Sequence, residues 1–324
     1  MTRLETGLCS VTFRDLPYGE VLSHAATARI AAIEWGADRH VPPGDLARAA
    51  AVARESRERG IAVASYGSYF EAGVTPLADF AIVAETARAL GAPNVRVWAG
   101  RRGVDSKVVA RADRERAVHD LQDACQIAAA AGLTVALEFH RQTLTDTLSS
   151  ALDLIASVAH PALYSYWQPR GGIGLDESIG ELDALRPRLS HLHVFNWNAQ
   201  RERFPLDGAG DFWPAIFEHV AGWNGHGPVR RAFLEFVAGD DPAAFARDAM
   251  ALRTWVDRAN DVHGKRCTES DRPQCEGTNA PGAFAHGTVS LDATRQDGGF
   301  LHGDTFDLSD ALLTSSHRKD RHHG

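Results

Sequence analysis

The sequence is short of cysteine, of basic charge and of long apolar runs, and each shortage removes a class of protein. Four cysteines in 324 residues (Cys9, Cys125, Cys267 and Cys275) are too few for a disulfide scaffold and too scattered for a zinc ribbon. Lysine and arginine number 34 against 42 aspartates and glutamates, and the net charge of -8 argues against nucleic acid or an anionic membrane surface as the main partner. No apolar run approaches the roughly 18 residues of a membrane-spanning helix. The first residues, MTRLETGLCSVTFRDLPYGE, carry charges throughout and no apolar signal core. These absences predict a cytoplasmic protein whose partner is a small molecule, with a homo-oligomer left open.

What is present divides near Asn260. Residues 261–324 hold 17 hydrophobic residues in 64, against 44% for the whole chain, and carry six of the fifteen histidines without a helical or strand period. A disordered tail is predicted there, after a body of residues 1–260. Cys267, Cys275, His322 and His323 in that tail match no zinc spacing.

Within the body, short β-branched or apolar runs alternate with longer amphipathic stretches rich in Ala, Arg, Glu and Leu. Eight strands are predicted, over 6–12, 31–35, 62–66, 94–98, 134–139, 162–167, 190–195 and 231–236. A helical stretch follows each. The second helix should open at the Asp45 cap after Pro43-Gly44 and stop at Gly60, and the third should follow Thr75-Pro76. Eight β/α units in this length are the arithmetic of an α/β fold of the closed (β/α)8 TIM barrel type. A doubly wound sheet is disfavoured because no Gly-rich phosphate fingerprint follows the first strand.

In such a barrel, functional groups lie at the C-terminal ends of the strands. Strand five ends Leu137-Glu138-Phe139-His140, strand seven reads His191-Leu192-His193, and strand eight gives Leu234-Glu235-Phe236. Alternation places Glu138, His140, both histidines of strand seven and Glu235 on the inward face. A carboxylate between Leu and Phe costs several kcal/mol to bury unless paired, protonated or bound to a cation. Pairing with Arg96, Arg141 or Arg231 is one solution. Two carboxylates and a histidine converging on one mouth favour the other, a divalent metal.

The order Glu, His-x-His, Glu on strands five, seven and eight resembles the sugar phosphate isomerase/epimerase proteins of the xylose isomerase-like barrel superfamily. Ser10-Val-Thr-Phe-Arg14, Ile33-Glu-Trp-Gly-Ala-Asp-Arg-His40, Ala136-Leu-Glu138-Phe-His140, Tyr166-Trp-Gln168-Pro169 and Asp207-Gly-Ala-Gly-Asp211 are similar to one branch of it. The resemblance spans residues 4–259. It implies a metal set of Glu, Asp, His and Glu on strands five to eight, matched here by Glu138, His193 and Glu235. Strand six has no Asp, and Gln168 is the candidate replacement, an amide oxygen without charge. Mn²⁺ suits the mixed oxygen and nitrogen donors first, with Zn²⁺, Mg²⁺ and Co²⁺ as alternatives.

The chemistry implied is isomerisation or epimerisation of a sugar, sugar phosphate or cyclitol through an enediolate, with Glu138 and Glu235 exchanging the proton. The alternatives are a polyol dehydratase (a lyase) on the same metal site and a catalytically degenerate ligand-binding barrel. A DNA-repair endonuclease of the superfamily needs a basic groove, and the body's net charge of -5 argues against it. His40 and His140 are candidates for substrate contact, Trp35, Tyr66, Trp98 and Trp167 for apolar walls, and Arg96 and Arg141 for a phosphate or carboxylate. Limited proteolysis should trim the chain after Asn260 and spare the body. Cleavage within the body ahead of the tail would contradict the division.

Overall fold

A computed structural model of the chain describes residues 3–198, 200–223 and 229–270, with backbone alone over 264–270. Eight strands form: β1 Leu4–Cys9, β2 Ala32–Gly36, β3 Ala62–Ala72, β4 Asn94–Ala99, β5 Thr134–Leu137, β6 Leu163–Trp167, β7 Leu189–Val194 and β8 Arg230–Leu234. Each pairs in parallel with the next, and β8 pairs with β1, so the sheet closes into a barrel without an edge. Eight helices follow the strands: α1 Tyr18–Thr27, α2 Leu46–Glu58, α3 Leu77–Leu90, α4 Arg111–Ala130, α5 Leu148–Val158, α6 Leu175–Leu185, α7 Phe212–Ala221 and α8 Pro242–Ser270. This is the TIM barrel that the alternating sequence predicts.

Local chemistry sets the helix ends. The Asp45 side chain accepts the Arg48 N–H at 3.0 Å and caps α2, and Gly60, at φ +70°, turns the chain away after it. Thr147 caps α5 by accepting from the Ser150 N–H. Pro76 takes the cap position before α3 rather than its first turn. The compositional boundary at Asn260 falls inside α8, whose helix continues to Ser270. Asn260 is itself structural, since its amide bonds both the N–H and the carbonyl of Leu4 and so fastens α8 to the start of β1. The expected tail beyond residue 270, with Cys275, His322 and His323, lies outside the described residues; Cys267 is described in its backbone alone.

Side-chain alternation divides the core into two layers. Ile33, Trp35, Val95, Val97, Val135, Leu137, Leu192 and Leu234 point outward and fill the space beneath the helices. The inward layer is small, holding Cys9, Ala32, Ala64, Ala136, Tyr166 and Phe233. Three alanines leave room for two large rings there, and Tyr166 and Phe233 stack at 6.2 Å. Gly7 completes the fit, since a Cβ at that position would stand 2.2 Å from Phe233 Cδ1.

That contact predicts an unequal pair of glycine replacements. Gly7→Ala should destabilise the barrel by about 1–3 kcal/mol through overpacking. Gly180→Ala, on α6 where nothing lies within 4 Å of the added carbon, should be neutral or stabilise by up to about 1 kcal/mol. Urea denaturation midpoints of the two variants read the difference, and equal effects would contradict the packing.

Candidate metal centre and active-site mouth

β5 and β8 each end one residue before a glutamate. The Glu138 N–H still donates to Val97 O at 3.0 Å and the Glu235 N–H to Val194 O at 3.0 Å, so both carboxylates project at the lip of the barrel. Directly after Glu235 the backbone turns away at Phe236, a non-glycine residue at φ +57°, held by its N–H donating to Thr12 Oγ1 at 3.0 Å. A non-glycine residue in this region is costly unless its surroundings fix it.

His193 stands between the two glutamates and is fully buried. Its Nδ1 lies 2.9 Å from Gln168 Oε1, 3.4 Å from Glu235 Oε2 and 3.9 Å from Glu138 Oε1. One ligand atom from each of Glu138, His193 and Glu235 lies within 4.8 Å of the other two. Thus the three residues matched to the family's metal set present donor atoms to one place, and Gln168, the candidate for the fourth, has its amide oxygen beside His193 Nδ1.

A fifth group was missed by the sequence reading. Glu34 on β2 is buried, and its Oε1 receives Arg96 Nε at 2.8 Å while its Oε2 receives the Tyr166 hydroxyl at 2.7 Å. Arg96 also donates through Nη1 to Glu138 Oε2. Glu34 Oε1 faces the other ring nitrogen of His193, Nε2, at 3.8 Å. The signal was available, since Glu34 sits between Ile33 and Trp35 in an apolar strand just as Glu138 and Glu235 do in theirs.

Buried charge makes the case for a cation. Glu34, Glu138 and Glu235 against the single guanidinium of Arg96 leave two uncompensated negative charges in a nearly dry interior. Protons respond to this. Burial pushes the Glu235 carboxyl up, with Glu138 and Glu34 adding to it against His193 and Arg96. Burial would lower His193, but Glu235, Glu34 and Glu138 outweigh it and raise it. Burial likewise works against the Glu34 carboxylate, and Arg96, His193 and the Tyr166 hydrogen bond overcome it, holding it well below the usual range. A divalent ion on the Nδ1 side would balance the two charges in place of protons, so the donor set fits a hard or borderline cation.

The remaining expected site residues separate into two groups. Trp98 and His140 do reach the mouth, with ring centroids 4.6 Å apart. His140 Nδ1 donates to the Arg141 carbonyl at 2.6 Å and burial pushes the ring's pKa down, so it is neutral with Nε2 as the accepting nitrogen. Trp35, Tyr66 and Trp167 are corrected. All three are fully buried on the outward faces of their strands, Tyr66 donating to Val41 O at 2.7 Å and Trp167 Nε1 to Glu181 Oε2 at 2.9 Å. Their parity opposite Glu34 and Gln168 excludes them from the mouth.

His40 is corrected too. It is 2% exposed, its Nδ1 lies 2.9 Å from Ser10 Oγ and its Nε2 3.1 Å from Leu16 O, so it ties two loops together and neither ring nitrogen is left for substrate. Arg96, expected to hold a substrate phosphate or carboxylate, is the internal counter-ion of Glu34 and Glu138 instead.

Two consequences follow for metal binding. Glu34→Gln, which removes the carboxylate facing His193 Nε2, should weaken Mn²⁺ binding about 10–100-fold. Because His193 and Glu235 are both shifted upward, protons compete with the ion, and affinity should fall as pH is lowered from about 8 to about 6. Titration calorimetry checks both, and a pH-independent affinity or an unaltered Glu34→Gln protein would contradict the assignment.

Comparison with known proteins agrees with this architecture. A 3-dehydroshikimate dehydratase of Bacillus anthracis is 32% identical over 108 residues, a match spanning 32% of this chain and 36% of that relative, about a third of its length. Among solved structures, a probable 3-DHS dehydratase of Bacillus anthracis superposes with a TM-score of 0.65 at 18% identity, over 77% of this chain and 98% of the other. An L-ribulose 3-epimerase gives 0.63 at 15% identity, over 85% and 100%. The profile of the xylose isomerase-like TIM barrel family matches residues 22–230. With the closed eight-strand barrel, that match places the chain in the xylose isomerase-like TIM barrel family.

Proposed function

We propose that the protein is a divalent-metal-dependent lyase that removes water from a small polyhydroxylated carbonyl compound bound at the barrel mouth. The observation that carries this reading is the unequal state of the two glutamates. Glu138 is tied by an ion pair to the buried Arg96, whereas Glu235 makes no arginine ion pair among the described residues and faces His193 Nδ1 at 3.4 Å instead. An isomerase or epimerase working by two-base exchange needs two carboxylates equally ready to give and take a proton. A dehydratase needs one such group.

A metal held by Glu138, Gln168, His193 and Glu235 would supply Lewis acidity to the substrate carbonyl and lower the barrier to enolisation. Glu235 takes the proton from the carbon next to the carbonyl. The electron pair left there forms the new double bond as the hydroxyl on the adjacent carbon departs, and Glu235 returns its proton to that hydroxyl, releasing water. Neutral His140, through Nε2, accepts a hydrogen bond from a substrate hydroxyl and orients the ring or chain. The partial match to a 3-dehydroshikimate dehydratase supports the same class of reaction.

Mass spectrometry of turnover by the Mn²⁺-loaded protein, with 3-dehydroshikimate and a panel of ketoses in D₂O, tests the proposal. The expected product has lost one water, and Glu235→Gln should lower kcat by about 10²–10⁴-fold because an amide cannot carry the proton. Glu138→Gln should act chiefly through weakened metal binding. A product that has lost no water and carries deuterium beside the carbonyl would establish isomerisation or epimerisation instead.

A further inference from the structure

The chain is acidic as a whole, with a net charge of -8, yet the mouth over the metal centre is lined by arginine. A cavity of about 590 Å³ has Gln168 and His140 in its wall, and its charged lining residues are Arg141, Arg170 and Arg201, with no carboxylate among them. A second cavity of about 390 Å³ shares His140 and Arg141 and adds Arg101 and Arg102. Its single carboxylate, Glu71, is held by Arg102 Nε at 2.6 Å. Arg170 is likewise spent on Glu177 and Glu181. Among the described residues no carboxylate pairs with Arg101, Arg141 or Arg201.

A second observation points the same way. Trp98 lines the smaller cavity and Trp197 the larger, and each has a buried indole N–H with no acceptor. Buried donors without partners are rare and costly. Guanidinium groups without a carboxylate partner, in linings that hold no free carboxylate, suit a ligand that brings negative charge.

We propose that the substrate carries an anionic oxyacid group, a carboxylate or a phosphate ester, and that Arg141 and Arg201 hold it in the larger cavity while its hydroxylated carbonyl end faces the metal centre. This rests on the functional reading above for the reacting end and on the cavity lining for the charged end. Arg141, at the junction of the two cavities, is the principal anchor, and a guanidinium's fork matches either oxyacid.

Titration calorimetry of the Mn²⁺-loaded protein with quinate, glucose 6-phosphate and myo-inositol tests the proposal without turnover. At least one of the two anions should bind about tenfold or more tightly than the neutral cyclitol, with the preferred anion naming the oxyacid, and its affinity should fall with added salt. Arg141→Gln and Arg201→Gln should each cost anion binding about fivefold or more while leaving Mn²⁺ affinity and thermal stability unchanged. Arg141→Lys should recover part of the loss. Inositol binding as tight as both anions, no measurable binding of either anion at millimolar concentration, or anion binding untouched in the Arg141→Gln/Arg201→Gln double variant would overturn it. Since binding is read apart from chemistry, failure of the lyase assay leaves this result intact, and failure here leaves the lyase assay intact.

Discussion

Everything at the open end of this barrel depends on how three buried carboxylates are neutralised. Glu34, Glu138 and Glu235 face one another inside a closed sheet, and among the described residues Arg96 is the one guanidinium that bridges two of them. Removing such a guanidinium while leaving the carboxylates would strand buried charge at a cost of several kcal/mol. Arg96 therefore fixes the position of Glu138 and, through Glu34, the surroundings of His193 Nε2. It makes no such ion pair with Glu235, whose Oε2 faces His193 Nδ1 at 3.4 Å instead. The asymmetry between the two lip carboxylates, and with it the argument for elimination over two-base exchange, starts from this one side chain.

The barrel itself was legible because parallel strands buried on both faces read as near-continuous apolar runs, and the second helix announces its ends with Asp45 and Gly60. The gathering of Glu138, His193 and Glu235 was legible because a polar group in such a run has few explanations, and Gln168 was reached only through the family resemblance. The errors have physical causes. Trp35 and Trp167 lie near strand ends, but strand parity turns them beneath the helices, and parity is a stricter criterion than nearness to an end. Tyr66 follows a register shift between β2 and β3, at Ile33 and Glu34, which simple alternation does not reveal. His40 looked like a loop histidine, and only the folding together of Ser10 and Leu16 around it shows that it is a buried fastening. Arg96 was named in the sequence both as a partner for buried glutamates and as a substrate anchor, and only the neighbouring of β2, β4 and β5 across the barrel interior decides for the first.

The mouth adds a separate layer of meaning. Its loops reverse the sign of the molecule's charge locally, and they do so above a centre that itself has excess negative charge. An anionic ligand entering through arginines, with its carbonyl end directed to a cation set among carboxylates, alternates charge along the approach. Such an arrangement orients a bipolar substrate before any chemistry occurs. Family membership constrains the scaffold and leaves the reaction to these side chains.

The central claim is that one divalent ion sits on the Nδ1 side of His193. Anomalous diffraction from crystals grown with Mn²⁺, recorded at the manganese edge, tests it most directly. The account predicts a single strong peak within coordination distance of His193 Nδ1, Gln168 Oε1 and one oxygen each of Glu138 and Glu235. A peak instead on the Nε2 side, among Cys9 and Glu34, or no peak from protein saturated with the metal, would contradict it.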